Sequence, residues 1–336
     1  AADLRAGLTA PLQEHVYLAG IAVATAYTAG VDSAEFEAAA AALDGNSVDL
    51  SEAIGSLAGE ENAATFLEVW RSHIADFVDY AVARAGDDQA GVDQALSDLA
   101  AYTETAGGFF EQISNGALPA DAIAGSLSMH VTTLTEAIDA LAAGDPSAYA
   151  ELQEAAAHVS ESATTIAGGF DTALELEGDP ADGASTLRTG LTNLLQEHVY
   201  LASIAVFTAY TAEGGPESEA FTAAAGVLDE NSVALSEAVT SLAGEEKGAE
   251  FLELWRAHIG DFVDYAVAAA GDDEQGKQEA LSNLDAYRAS AGAFFEEVSG
   301  GELPADAVAD GLAMHVETLG GAIDSLDAAL VEGASE

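Results

Sequence analysis

The sequence predicts an all-α protein built as two tandem up-and-down antiparallel helical bundles, of about six helices and then about five. Apolar residues recur at three- and four-residue intervals along the chain, without the alternating β-branched runs typical of strands. Gly, Pro and Asp interrupt this pattern at nearly equal distances. Long segments also repeat, since LRAGLTAPLQEHVYLAG from Leu4 returns as LRTGLTNLLQEHVYLAS from Leu187.

The repeats indicate a domain duplication. Their offset is 183 residues in the first helix and 185 afterwards, so two residues are inserted in the loop around Gly214. Units of this length are too long for solenoid repeats. We predict copy one over residues 1–175, a linker rich in Gly, Pro and Asp over residues 176–186, and copy two over residues 187–336.

The punctuation predicts where each helix begins and ends. In copy one the predicted helices cover residues 3–29, 33–58, 60–85, 88–114, 119–143 and 146–170. In copy two they cover residues 186–212, 217–243, 245–270, 273–299 and 304–330, with no counterpart of the sixth helix. Pro119 and Pro146 lie at helix starts, where proline is favoured. Short connections between helices of about 25 residues, or about 37 Å, favour antiparallel neighbours.

The composition is strongly acidic. The chain has 59 acidic residues against 8 basic ones, a net charge of −51. Such self-repulsion strains a compact state at low ionic strength, whereas concentrated salt screens it. We therefore expect a halophilic protein with an acidic surface. Nucleic acid and anionic lipid are not expected partners, because too few cations are available to neutralise phosphates. The charge is spread through an apolar, periodic sequence, which excludes an acidic disordered tail.

Cysteine content and hydropathy place only weak limits on the cellular location of the protein. The absence of Cys excludes disulfides and thiolate sites. The longest apolar stretch, from Val16, is about 15 residues, too short for a membrane span. The chain starts with Ala1, Ala2 and Asp3, as a product of signal cleavage does. We expect an extracellular or cell-surface protein, with the cytoplasm of a salt-accumulating halophile as the alternative. Self-association or a cell-surface partner is left open.

The candidate metal ligands are histidines halfway along the first, third and fifth predicted helices of each copy. Around His73, Trp70 and Phe77 lie at three- and four-residue spacing, so this histidine belongs to the stripe that faces the core. A residue halfway along a helix lies at mid-height whichever way the helix runs, so the three histidines of a copy should share one layer. The six are His15, His73, His130, His198, His258 and His315.

Other polar residues are weaker candidates. Those predicted at or near the same height are Asn46, Glu52, His158, Asn231 and Glu237, and Tyr102 falls at this level too. Glu14 and Glu197 each precede a histidine and point about 100° away, so we interpret them as surface charges, with partners that orient the metal ligands as the alternative. Two arginines per copy, Arg5 and Arg71 with their counterparts Arg188 and Arg256, are interpreted as structural ion pairs.

Three neutral imidazoles with a solvent or amide ligand suit copper, zinc or non-haem iron. A layer of hydrogen-bonded core histidines without metal is the main alternative, and haem held by paired histidines is a further one. The Glu-x-x-His pairs of di-iron bundles, Gly-rich phosphate loops and Gly-x-Ser-x-Gly elbows are all missing from the sequence. No catalytic residue is therefore assigned, and whether the protein is an enzyme is left open.

Several segments also carry a family resemblance. LxEHVYLA, FLxLWRxHIxxFVDYxVA and LPADxxAxxLxxHVxTLxxAID resemble an all-helical domain of exported proteins of bacilli and related organisms, which often accompanies a copper amine oxidase N-terminal domain. The resemblance covers both copies except the missing last helix, in a duplicated, acidic version of haloarchaeal type. It implies export and a single-copy ancestral bundle. It does not imply amine oxidase activity, because that label belongs to the neighbouring module.

Overall fold

The computed structural model describes residues 1–329, and within them every regular element is helical, which confirms the predicted fold class. A short 3-10 turn, Gly215–Glu217, lies in the loop that carries the two-residue insertion. The predicted end of the last helix, Leu330, lies outside the described residues. The helices are α1 (Ala2–Ala29), α2 (Ala34–Ala58), α3 (Glu60–Ala85), α4 (Gln89–Ile113), α5 (Ala120–Ala143), α6 (Ala148–Leu174), α7 (Gly183–Thr211), α8 (Glu219–Ala243), α9 (Glu245–Ala270), α10 (Glu274–Val298) and α11 (Ala305–Asp327).

Short polar or glycine connections end these helices. Ser33 caps α2, and its hydroxyl accepts a hydrogen bond from the Phe36 amide. Asp88 caps α4 through the amides of Ala90 and Gly91. Gly59 alone joins α2 to α3, and its φ of 93° lies in the region that favours glycine. Such tight connections reverse the chain between neighbours and keep the helices at similar heights.

Helix packing closes a ring in the first half of the chain. Each of α1 to α6 packs against the next, and α6 returns to α1, while α1, α3 and α5 also meet one another across the middle. In the second half, α8, α9, α10 and α11 pack in the same order, and α9 meets α11. The odd-numbered helices of the first half therefore face a common interior, where mid-helix side chains meet.

The contacts divide the chain into two compact units, unit 1 (Ala1–Glu197) and unit 2 (His198–Glu336). The division falls inside α7, after the linker predicted at residues 176–186. The reason is that the start of α7 bonds to α1. Arg188 forms an ion pair with Asp3, and Arg5 donates a hydrogen bond to the Thr186 hydroxyl.

Two further arginines form the expected inter-helix ion pairs. Arg71 on α3 holds Asp44 on α2 in a two-point contact, with nitrogen–oxygen distances of 2.6 and 2.8 Å. Arg256 repeats this contact with Asp229 at 2.6 and 2.7 Å. The pairs lie on the surface, so their contribution to stability is small.

Among residues 1–329, none of the helices combines the length and the apolarity that a membrane crossing requires.

Candidate metal centre

The structure brings the three predicted histidines of unit 1 together. His15 on α1, His73 on α3 and His130 on α5 are all buried, and one ring nitrogen from each lies within 4.8 Å of the others. The Nε2 atoms of His15 and His73 are 3.4 Å apart. The ring centroids are separated by 5.4, 6.2 and 6.4 Å. The three imidazoles therefore converge on one point in the interior.

Unit 2 repeats this geometry. His198, His258 and His315 again have ligand nitrogens within 4.8 Å of one another. Their centroid separations are 5.4, 6.2 and 6.4 Å, matching those of unit 1. His198 and His258 are buried, whereas His315 is only partly buried. The two groups, called here triad 1 and triad 2, differ in enclosure and not in internal geometry.

The spacing within triad 1 fits a shared ion. Two imidazole nitrogens that bind zinc at about 2.0–2.1 Å with a tetrahedral angle are about 3.4 Å apart. The Nε2 atoms of His15 and His73 have this separation. The third nitrogen lies within 4.8 Å of these two and needs only a small closing movement to complete a three-nitrogen site.

Burial keeps the imidazoles neutral. Desolvation, with a smaller contribution from His130, lowers the pKa of His15 to about 3. Desolvation, reinforced by His158, lowers the pKa of His130 to about 4. For His73, burial and then the two neighbouring imidazoles lower the pKa well below its usual range, and the Trp70 carbonyl opposes them weakly. At neutral pH each ring therefore offers a lone pair, which a metal ion requires.

Burial lowers the pKa values of the triad 2 histidines as it does in triad 1. Burial, and then His315, lowers the pKa of His198 to about 3. Burial lowers the pKa of His258 well below its usual range, and the other two imidazoles add to this effect. Burial also lowers the pKa of His315, which is the least enclosed member.

Aromatic rings hold the imidazoles in place. Tyr102 stacks on His73 with centroids 4.4 Å apart and planes at 20°. Trp70 contacts His73 edge-on at 4.6 Å and also lies 4.8 Å from His15. Sequence reasoning placed Tyr102 at this height but assigned Trp70 only to the core stripe, although its position three residues before His73, on the same helix face, was visible.

The second ring nitrogen of each triad 1 histidine, Nδ1, is poorly satisfied by hydrogen bonds. The Nδ1 atoms of His15, His73 and His130 are buried without a partner of standard hydrogen-bond geometry. Metal-bound imidazoles usually donate their second N–H to a carbonyl or carboxylate. Among the groups that affect the pKa values of the triad 1 histidines, the Trp70 carbonyl beside His73 is the one that can accept such a hydrogen bond. Small ring rotations are therefore part of forming a metal site.

Asn46 and Glu14 form a polar link beside triad 1. Asn46 is buried, and its amide donates to the Pro11 carbonyl at 2.8 Å and to a Glu14 carboxylate oxygen at 3.1 Å. The interpretation of Glu14 as a free surface charge is therefore wrong. Glu197 is also buried and accepts a hydrogen bond from Gln153. Each glutamate precedes its histidine by one residue, so its carboxylate is rotated away from the triad. Glu14 therefore meets α2, and Glu197 meets α6.

The remaining weak candidates differ in burial and hydrogen bonding. Glu52 and Glu237 are exposed, because their neighbours Ser51 and Ser236 occupy the core-facing positions. Neither carboxylate joins a three-histidine cluster. His158 is also not a triad member, since its Nε2 lies 3.0 Å from the Ser126 carbonyl oxygen. Asn46 and its counterpart in copy two, Asn231, are both buried, and neither belongs to the three-histidine groups. Mid-helix height alone did not distinguish which face each side chain occupies.

Two apolar cavities border triad 1 on opposite sides of His15. One, of about 250 Å³, extends past Ala22 and Phe77 to the exposed Val31 and Val82. The other, of about 210 Å³, is lined by residues such as Leu8, Trp70 and His130. Both linings are almost entirely apolar, so any molecule that approaches the imidazoles does so through an uncharged path.

The metal-ligating groups that cluster in the described part of the chain are histidines alone. No carboxylate joins either three-histidine cluster there. The arrangement can hold an ion and leave a coordination position open. It provides no second group that would identify a reaction.

Comparisons with protein-family models, curated proteins and solved structures found no match to this chain. The resemblance to the exported helical domain therefore stays a prediction from its motifs.

Proposed function

We propose that this protein binds metal ions, one in each unit, through His15, His73 and His130 and through the equivalent histidines of triad 2. The observation that carries the proposal is the convergence of three buried, neutral imidazoles on one point, with two Nε2 atoms 3.4 Å apart. Three buried imidazoles in contact are costly to desolvate, and a shared ion would satisfy their lone pairs together.

The ligand set favours zinc or copper, with non-haem iron as the third choice. Neutral imidazole is a common ligand of all three ions, and the lack of carboxylate in the clusters disfavours magnesium, calcium and manganese. When bound, such an ion supplies a Lewis acid with a fourth position for water or another ligand. Haem is disfavoured, because Nε2 atoms 3.4 Å apart leave no space for a porphyrin between them.

Elemental analysis of the full chain, purified in high salt without added metal, tests the proposal. We expect about two equivalents of one transition metal per chain. Stripping with a chelator should lower the melting temperature, because a ligand that binds only the folded state stabilises it by mass action. Refilling should restore it. A chain that stays metal-free after incubation with each ion, and whose melting temperature ignores the chelator, contradicts the proposal.

The second candidate is a structural or interaction module whose histidines bond only to one another. The same 3.4 Å separation of Nε2 atoms allows an N–H donor on one ring to face a lone pair on the other. This function predicts no bound metal and a melting temperature independent of chelators.

An absorption spectrum of the pure protein adds a separate check of the haem alternative, since haem would give a strong Soret band.

We also propose that the protein works in concentrated salt outside the cell or at its surface. The support is the net charge of −51, which concentrated salt screens and dilute buffer does not. A melting temperature that rises steeply between dilute buffer and molar potassium chloride is the expected result. Fractionation of the source cells would then distinguish an exported protein from a cytoplasmic one.

A further inference from the structure

An exposed face of unit 2 corresponds to a covered face of unit 1. Leu118, just before α5, is 2% exposed, whereas its counterpart Leu303, just before α11, is 49% exposed. Ala137 on α5 is completely buried, but Ala322 at the equivalent position of α11 is exposed. The two helices share most of their sequence, although Gly311 replaces Ser126, and they differ in what packs against them.

In unit 1 the covering element is α6, which packs against both α1 and α5. Leu118 lies so close to Gly169 of α6 that any side chain at Gly169 would overlap it. The Ser126 and Ser162 hydroxyls hydrogen-bond at 2.7 Å, and His158 reaches the Ser126 carbonyl. Among the described residues of unit 2, no helix follows α11 to make these contacts.

We propose that the α11 face, defined by Leu303, Val308, His315 and Ala322, docks a further amphipathic helix of the α6 type that lies outside residues 1–329. Each of these residues is exposed or only partly buried, whereas its counterpart in unit 1 is buried. The docked helix would bury Leu303 and Ala322 and enclose His315, making triad 2 as closed as triad 1.

The covering helix of unit 1 defines the chemistry of the partner. The buried side of α6 combines small side chains at three- and four-residue spacing, which let helices approach closely, with two large ones, Leu152 and Phe170. The partner helix needs this pattern, with glycine opposite Leu303. The small or medium buried residues of α6 are Ala148, Ala155, Ala156, Val159, Ala163, Ala167 and Gly169.

Acidity does not exclude such a partner. α6 itself carries exposed Glu154 and Glu161 while packing on an acidic unit. A second copy of this chain does not supply the helix, because its own α6 already covers its unit 1. The docked helix is therefore not α6 of a second copy, and its expected chemistry is that of an acidic, alanine-rich amphipathic helix.

A crosslinking experiment tests this docking with a peptide of residues 146–175 as the probe. The peptide carries Gly169→Cys, and the full chain, which has no cysteine of its own, carries Leu303→Cys. In molar salt we expect one disulfide-linked peptide per chain. Met314→Cys is the matched control, because Met314 is 73% exposed and its counterpart Met129 stays 53% exposed despite α6. It should not crosslink.

Equilibrium binding of a fluorescent form of the peptide gives a second readout. Ala322→Glu should weaken binding at least tenfold, since a buried charge is placed in the interface while the free chain keeps Ala322 in solvent. Absence of binding and of crosslinking overturns the proposal. So does binding unaffected by Ala322→Glu, which indicates exchange into unit 1. A third outcome would assign the face to a second copy of the chain instead. In that case the chain forms a dimer that Ala322→Glu dissociates but that added peptide does not dissociate.

Discussion

Triads 1 and 2 have the same geometry in differently built units. Their ring centroids are separated by the same three distances, 5.4, 6.2 and 6.4 Å. His130 in unit 1 is buried beneath α6, whereas His315 in unit 2 is partly open. The comparison shows that the five helices found in both halves are enough to set the positions of the imidazoles. The sixth helix of unit 1, α6, sets how enclosed they are.

This difference has a functional consequence. An ion in triad 1 would be bordered by two apolar cavities, while an ion in triad 2 could exchange past the partly exposed His315. Each unit contains one tryptophan in contact with its triad, Trp70 or Trp255. Replacing one of them with Phe leaves a fluorescence signal from the other unit alone, so the two units can be followed separately.

The largest expected effect is the loss of one ion at a time. His73→Ala should reduce bound metal from two equivalents to one, and His258→Ala should remove the other, because each substitution removes one of the three imidazoles of its triad. Elemental analysis measures this. Chelator-driven release should be faster from triad 2, so His258→Ala should remove the fast phase. Equal release rates would contradict the difference in enclosure.

The next effect is a local loss of stability in unit 1. Gly169→Leu places a side chain into Leu118, and such overpacking costs about 1–3 kcal/mol. Urea unfolding followed by Trp70 fluorescence should show the loss, while Trp255 should report little change. Gly168→Ala is the control, since no neighbouring atom lies within 4 Å of the added carbon. A loss of similar size in both units would show that α6 is not specific to unit 1.

Acid should destabilise unit 1 more than unit 2 when metal is removed. The pKa values of His15 and His130 are lowered to about 3 and about 4, so the unfolded chain binds protons that the folded chain does not. The stabilisation is fully present above about pH 6.5 and is lost as pH falls towards 3–4, by about 1–2 kcal/mol per histidine between pH 7 and 5. Unfolding at several pH values in chelator measures it.

The control for this prediction is a pair of equivalent substitutions. His130→Phe should flatten the pH dependence of unit 1 more than His315→Phe flattens that of unit 2, because His315 is less buried. Identical slopes in the two units would mean that enclosure by α6 does not affect protonation.

The smallest effect should be the same in both units. Arg71→Ala and Arg256→Ala each remove a surface ion pair, and each should cost less than about 1 kcal/mol in dilute salt and less still in molar salt. Urea unfolding at two salt concentrations checks this. A large or unequal loss would reveal that these pairs do more than join neighbouring helices.

Sequence periodicity predicted the helices and the triads for a clear reason. His15, His73 and His130 lie on apolar stripes near the middle of helices of similar length, so both face and height were readable. Glu52 failed because one residue of rotation separates it from the buried face. Glu14 was misread because its partner, Asn46, comes from another helix.

The sequence by itself determined an all-helical, duplicated chain with one histidine layer per copy, since helical period, punctuation and repeats are local properties. Only the tertiary structure decided which side chains meet. The stacking of Tyr102 on His73, the Asn46–Glu14 link and the α7 boundary between the units depend on how separate helices pack. The exposure of the α11 face likewise depends on whether another helix packs against it.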